Sequence, residues 1–469
     1  LQHNQINSFR LSPLYRWFAD STEYQKLEMA DTFDDPRKHV EFIRTDWFSI
    51  GKPEENKLAA MLDKAVKYLS AELYTKDVHF MMELVQNAED NTYPDNVDPS
   101  LEFVITCEDV TKTGATATLI MFNNEKGFSA KNIESICSVG NSTKAGQRKN
   151  GYIGEKGIGF KSVFLISAHP HVFSNGYQIK FNESPCPHCK LGYIVPEWVD
   201  DTVLRSVKKV YGSESDVPTT MLVLPLKADK VAVVRQQLSR LEPEMLLFLS
   251  KIKHLSVREH SKSSKSNTVC SIKIRKEINF ESRKTNHAES YMMWLSGVEN
   301  GKDTKECGYY MWRQRFPVKA DNRVDRRSEI DEWAITLAFP NGDRLRRGGK
   351  CAGVYAFLPT EMLTNLPFII QADFILASSR ETILLDNIWN KGILECVPSA
   401  FVNAFDCLVK SIESAPISSL HYHLNFIPVN SSPYEALNTA RIKIKDMLVG
   451  MNIIPMECEG DQKVFHKPG

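Results

Sequence analysis

The segment Glu83-Leu-Val-Gln-Asn87-Ala-Glu-Asp90 sets a carboxylate, an amide and a second carboxylate three and four residues apart. At 100° per residue these side chains fall within about 60° of one another on a helix, forming one polar stripe. Met81, Leu84, Val85 and Ala88 occupy the neighbouring face, so that face can pack on a sheet while the stripe lines a cavity. Asn and Asp are indifferent helix formers, and an inner stripe of them is costly unless it binds something. A solvated helix face is the commoner origin of such a pattern, so the stripe needs support from elsewhere in the chain.

That support comes from Gly151-Tyr-Ile-Gly154-Glu-Lys-Gly157-Ile-Gly159-Phe160-Lys161-Ser162. Glycines at 154, 157 and 159 ahead of a helix suit a phosphate, because bare backbone N–H groups approach closely and a helix N-terminus favours negative charge. Lys144, Lys149, Lys156 and Lys161 add positive charge. The spacing is neither a P-loop nor a dinucleotide fingerprint: no strand leads into it and no Gly-Lys-Ser/Thr is present. A third group is Cys186-Pro-His-Cys189. With no second CxxC or HxxxH at ligand spacing, it reads better as two free thiols in a surface loop than as a zinc site.

These residues need elements to hold them. Leu58, Met61, Leu62, Ala65, Val66 and Leu69 recur at helical spacing, and a second helix carries Phe80 to Ala88. LEFVITCEDV (101–110) and ATATLIMF (115–122) read as adjacent strands, with HVFSNGYQIKF (171–181) and MLVLPL (221–226) as further strands. A helix is expected over 231–252, a polar turn at SKSSKSN (261–267), and buried strands in WAITLAFP, GVYAFLP and PFIIQADFIL. A helix follows from about Asn387 to Ile412, and an amphipathic one lies in ARIKIKDMLVG.

At 469 residues the chain has room for about three domains. It carries 58 basic and 58 acidic side chains, a balance that argues against a strong field for DNA or membrane surfaces. No apolar run reaches the roughly 20 residues of a membrane span. Ten scattered cysteines favour a reducing compartment, hence an intracellular site, nuclear or cytoplasmic. The first residues, LQHNQINSFR, show neither a secretory pattern nor an initiating Met, as in a fragment.

Taken in order, ExxxNAxD on a helix, a strand ending in a polar loop, GxxGxGFKS and a Thr before an apolar strand resemble the GHKL ATPase superfamily. YTKDVHFMMELVQNAED is similar to the heat-shock chaperone version of the first motif, and GNSTKAG with GYIGEKGIGFKSVF is similar to plant NO VEIN-type proteins and sacsin repeats. The resemblance covers roughly residues 41–226. It implies that Glu83 is the general base for water attack, that Asn87 binds Mg²⁺ through its amide oxygen, and that Asp90 supports the nucleotide pocket. Gly154, Lys156, Gly157, Ile158, Gly159 and Phe160 would wrap the phosphates of ATP. Ser142, Thr143 and Lys144 would belong to a mobile lid over 140–155, and Thr220 would lie near the adenine.

The family's second motif is DxGxG. By register with Gly127-Phe128, Asn123 stands at its Asp and Glu125 at its first Gly; a shift of one puts Asn124 there. Asn can still accept from the adenine amino group but loses charge assistance, about 1 kcal/mol or more.

In the second half, FLP…LP…Ser378-Ser379-Arg380-Glu381 is similar to sacsin-like wording. The resemblance makes Arg380 the contact to the γ-phosphate, with Gln371 helping to position its loop; a surface pair with Glu381 or Asp386 is the alternative.

The expected fold is α+β. A two-layer sandwich ATPase domain (41–226) has helices over one face of a mixed, mainly antiparallel sheet. An N-terminal extension (1–40) precedes it, and an α/β middle domain (227–415) and a C-terminal segment (416–469) follow. The expected activity is slow Mg-dependent ATP hydrolysis driving lid closure, chaperone-like, with a protein client and a nucleotide-dependent homodimer as possible partners. The alternative is a nucleotide-gated interaction module that hardly turns over.

Overall fold

The computed structural model describes residues 35–52, 59–72, 79–139, 153, 159–213, 217–261, 264–279, 288–299, 302–303, 306–341, 353–377, 380–410, 420–457 and 463–468. Its helices are α1 (Pro36–Phe42), α2 (Ala59–Glu72), α3 (His79–Glu89), α4 (Ala130–Ile136), α5 (Asp201–Tyr211), α6 (Val231–Leu238), α7 (Ile388–Lys410), α8 (Leu420–Leu424) and α9 (Glu435–Val449).

The first strands are β1 (Ser100–Thr106), β2 (Thr118–Asn123), β3 (His171–Ser174), β4 (Tyr177–Lys180), β5 (Glu197–Trp198) and β6 (Thr220–Pro225). They are followed by β7 (His254–Ser261), β8 (Ser264–Asn279), β9 (Ala288–Glu299), β10 (Lys302–Asp303), β11 (Cys307–Pro317), β12 (Glu332–Asn341), β13 (Gly353–Ala356), β14 (Leu358–Leu363) and β15 (Ile369–Gln371). All fifteen share one mixed sheet, running β14-β13-β15-β12-β11-β9-β8-β7-β1-β2-β6-β3-β4-β5 with β10 beside β9. The sheet passes through residue 226 without interruption, because β1 pairs in parallel with β7 from Ser100↔His254 to Thr106↔His260.

Both faces of the first half are covered, which departs from the expected single helical layer. Phe103, Ile105, Leu119 and Met121 share a core with Phe80, Met81, Leu84, Val85 and Ala88 of α3. The alternate residues Val104, Ile120 and Phe122 face Val203, Val207 and Val210 of α5. The cause is legible in β2, which is buried along its whole length and whose four central residues, Leu119 to Phe122, are all apolar, so both of its faces need cover. α5 itself is capped by Asp200, whose carboxylate accepts from Thr202 N at 2.8 Å, and is ended by Gly212 with φ +93°.

Three further expectations change. HVFSNGYQIKF is a hairpin, β3–β4, rather than one strand, because Asn175 and Gly176 both take positive φ. The helix begun at Val231 ends at Leu238. Pro243 then opens a short 3₁₀ turn, since proline removes a backbone donor and restrains the residue before it. Most of SKSSKSN lies in or beside the β7–β8 pair.

A second core surrounds α7, where Trp389, Phe401 and Phe405 pack with Trp333, Phe339 and Phe368. Burying side chains of this size stabilises the fold by about 1.5–3 kcal/mol each. Helix α7 is long and apolar enough to cross a bilayer by length and composition, but most of it is spent on this core. Gly392 permits the contact, for a Cβ there would lie 2.3 Å from the Trp333 ring.

Candidate functional site

Helix α3 has no Gly or Pro and is rich in Met, Leu, Glu and Gln, all good helix formers. Its apolar residues hold it on the sheet, which turns the polar stripe inward. Glu83 and Asp90 are each 2% exposed, and Asn87 is half-buried. A wet helix face is therefore excluded.

Two features converge on Glu83. Gly159 approaches it so closely that a Cβ would lie 2.4 Å from Glu83 Oε2 and 3.8 Å from Asn87 Nδ2. Arg380 places Nη1 2.8 Å from Glu83 Oε1 and also donates to Gln86 Oε1. The guanidinium therefore pairs with α3 rather than with Glu381 or Asp386. Arg380 sits at φ +59°, in a turn where its N–H donates to Ala377 O at 2.9 Å. A non-glycine residue held there is strained, and the contact with α3 offsets that cost. Gln371 is used elsewhere: its Oε1 accepts from Phe357 N at 2.7 Å.

Asp90 lies one turn beyond Asn87 and accepts from Ile153 N at 2.6 Å, so it anchors Ile153 to the end of α3. Gly159 and Phe160 open a 3₁₀ helix, Gly159–Leu165, with Phe160 edge-on to Phe181. Ser142, Thr143, Lys144, Gly154, Lys156, Gly157 and Ile158 lie outside the described residues, as does Lys149. Lys161 does not add charge to a phosphate surface. It is buried, donates to Ile136 O at the end of α4, and lies over the Phe160 and Phe181 rings at 5.5 and 5.7 Å. Burial pulls its pKa down to about 8.

The end of β2 forms a second polar cluster. Asn123 is fully buried. Its oxygen accepts from Asn91 Nδ2 at 3.1 Å, and its Nδ2 donates to Tyr93 OH at 2.8 Å and Ser100 O at 2.9 Å. One lone pair of the amide remains. Burial pushes the Tyr93 phenol well above its usual range. Asn124 clamps the start of β1, accepting from Ser100 N at 2.8 Å and donating to Asp98 O at 2.9 Å.

The buried carboxylate of this cluster is Glu125. A hydrogen-bonded chain leads to it: Phe128 N–H to Ser174 Oγ (2.9 Å), Ser174 to Thr220 Oγ1 (2.6 Å), and Thr220 to Glu125 Oε1 (2.5 Å). Gly127, at φ +99°, makes the turn possible, because a Cβ would lie 2.7 Å from Asn175 Cβ.

Sequence reasoning missed Gln86 and Glu125 as site residues. Gln86 was findable as the i+3 neighbour of Glu83. Glu125 was hidden because motif register put it at a glycine position, and only the pairing Asn123↔Thr220 brings Thr220 to its side.

Carboxylate, guanidinium, amide and bare glycine backbone can together hold a phosphorylated ligand and a hard cation. Asn87 has the oxygen donor such a cation takes, and the missing Cβ at Gly159 leaves the close approach that phosphate binding needs. Comparison with known proteins agrees with the wording of these segments. Residues 64–186, which hold the α3 stripe, Asn123 to Glu125 and Gly159, match the family model described as Sacsin domain. The chain is 32% identical over 472 residues to Protein NO VEIN of Arabidopsis thaliana; the match covers 95% of this chain and 16% of that protein. The chain thus spans a small part of the relative's length, and it is related to sacsin-domain and NO VEIN-type proteins.

Proposed function

We propose that this chain binds a magnesium complex of ATP beside α3 and hydrolyses its terminal phosphate slowly, as the resemblance to GHKL ATPases implies. The observation that carries this reading is the meeting of Glu83, Asn87 and Arg380 at Gly159. Magnesium, held through the Asn87 amide oxygen, would supply positive charge to the phosphate oxygens. Glu83 would orient a water and take its proton. Arg380 would move from Glu83 to the terminal phosphate, where negative charge spreads in the transition state. Asp90 would tie the glycine segment to α3 through Ile153. For the base, Glu125 would offer a carboxyl acceptor backed by Thr220, whereas Asn123 is committed to three neighbours. Nucleotide-driven rearrangement would act on a protein client, with a nucleotide-dependent homodimer as the assembly.

Titration calorimetry with ATP, with and without Mg²⁺, tests the reading. Asn87→Ala is expected to remove Mg-dependent binding. Glu83→Ala is expected to keep binding while phosphate release falls by about 10²-fold or more. Absence of ATP binding to the unsubstituted chain would sink the assignment.

One observation favours a second reading, a nucleotide-gated interaction module with negligible hydrolysis. Arg380 is ion-paired with Glu83 and would have to leave before the carboxylate could orient a water. Binding without turnover in the unsubstituted chain would select this reading.

A further inference from the structure

The stretch Pro185-Cys186-Pro187-His188-Cys189 lies between β4 and β5 and takes no part in the site on α3. Its backbone closes one helical turn: Lys190 N–H donates to Cys186 O at 2.8 Å, and Cys186 N–H to Leu191 O at 2.8 Å. Residues three apart on such a turn have Cα atoms about 5 Å apart, within the span a disulfide bridges. The two thiols are in hydrogen-bond contact, and both are free.

Their surroundings differ. Cys186 is half-buried among exposed Pro185, Pro187 and His188, so a small molecule can reach it. Cys189 points into the core with Leu191 and Tyr193, and burial pushes its thiol up to about 11. Among the described residues no group of three His, Cys, Asp or Glu side chains could hold an ion.

We propose that Cys186 and Cys189 form a dithiol–disulfide couple that exchanges with low-molecular-weight disulfides such as oxidised glutathione. The Cys186 thiolate attacks one sulfur of the small disulfide, forming a mixed disulfide and releasing one small thiolate, which takes up a proton. Cys189 then gives up its proton and attacks Cys186 Sγ, forming the Cys186–Cys189 bond and expelling the second small thiol. The protein loses two protons and two electrons, and the small disulfide gains both as it becomes two small thiols. Exposure decides the order, since Cys186 can be reached from solvent and Cys189 only by its neighbour.

The closed pair would stiffen a loop with two attachments. Gly192 N donates to Asp63 Oδ1 of α2 at 2.8 Å, and Tyr193 lies edge-on to Phe164 at 4.8 Å, just after Gly159. The proposal does not depend on the nucleotide reading, and its test uses no nucleotide.

The reduced protein is equilibrated with graded mixtures of reduced and oxidised glutathione, quenched in acid and alkylated. Trypsin then cuts after Lys180 and Lys190, releasing Phe181–Lys190, which contains both cysteines and no others. The expected result is loss of both alkyl labels and two hydrogens from this peptide as the oxidised fraction rises, with full recovery in excess dithiol. Cys189→Ser is expected to stop at a glutathione adduct on Cys186, and Cys186→Ser to leave Cys189 reduced. The proposal is overturned if the wild-type peptide stays doubly alkylated throughout, or if it stops at the adduct without closing. The wild-type measurement alone decides if either variant fails to fold.

Discussion

Lys161 shows why residue type alone is a poor guide to where charge acts. It lies two residues after Gly159, yet its ammonium caps α4 from within the core. Its folded pKa of about 8 lies below the ordinary 10.5. Between those values the unfolded chain holds a proton that the folded chain has released, so stability rises with pH across the window. Below pH 8 both states are protonated, and the full cost of burying the charge is present. Urea unfolding of wild type and Lys161→Met from pH 7 to 10.5 is expected to show the difference moving toward wild type, on the order of 3 kcal/mol in total. A flat difference would refute the buried cation. Arg380 makes a separate point through its backbone. At φ +59°, Arg380→Gly relieves strain that Arg380→Ala keeps, so the Gly variant should be the more stable of the two by about 1 kcal/mol in thermal unfolding. The placement of Glu83, Asn87 and Asp90 on one inner face was legible because helical periodicity fixes it. The partner of Glu83 was not derivable from spacing, since Arg380 lies 297 residues away.

At the level of elements, α3 does more than carry the stripe. Its last residue, Glu89, is 1% exposed. The carboxylate accepts from Ser250 N at 2.6 Å, Ser250 Oγ at 2.7 Å, and Lys251 N and Ile252 N at 2.9 Å each. Glu89→Ala strands four donors away from water and should cost on the order of 3 kcal/mol or more in chemical denaturation. Glu89→Gln keeps the shape but turns an NH₂ toward a donor, so an intermediate loss is expected. A loss below about 1 kcal/mol for the Ala variant would show that water replaces the carboxylate. Elements with strong periodicity were readable in advance, as α3, β2, β6 and α7 were. Those set by local turn chemistry were not: the Asn175-Gly176 turn split one expected strand into two, and Pro243 shortened one expected helix. α5 is hard to see in the sequence because its Val203, Val207 and Val210 stripe sits among charged residues, and its Asp200 cap is followed by a second Asp that blurs where the helix begins.

The two halves of the molecule meet through Glu83 and Arg380 as well as through the sheet. With Glu83 3% exposed at its side chain and Arg380 20%, removing either partner leaves the other poorly solvated. A double-mutant cycle with Glu83→Gln and Arg380→Gln, without nucleotide, is expected to give a coupling of about 1–3 kcal/mol. Coupling within experimental noise would mean that the two halves do not communicate through this pair. The paired β1 and β7 carry a different consequence. Seven consecutive residues of each strand are in register across the join, so the halves cannot swing about it like a door on a pin. Relative motion there is confined to winding and unwinding one continuous ribbon. Any hinge between the halves must therefore break this seam or twist the whole sheet, as a plank bends rather than folds at a glued joint.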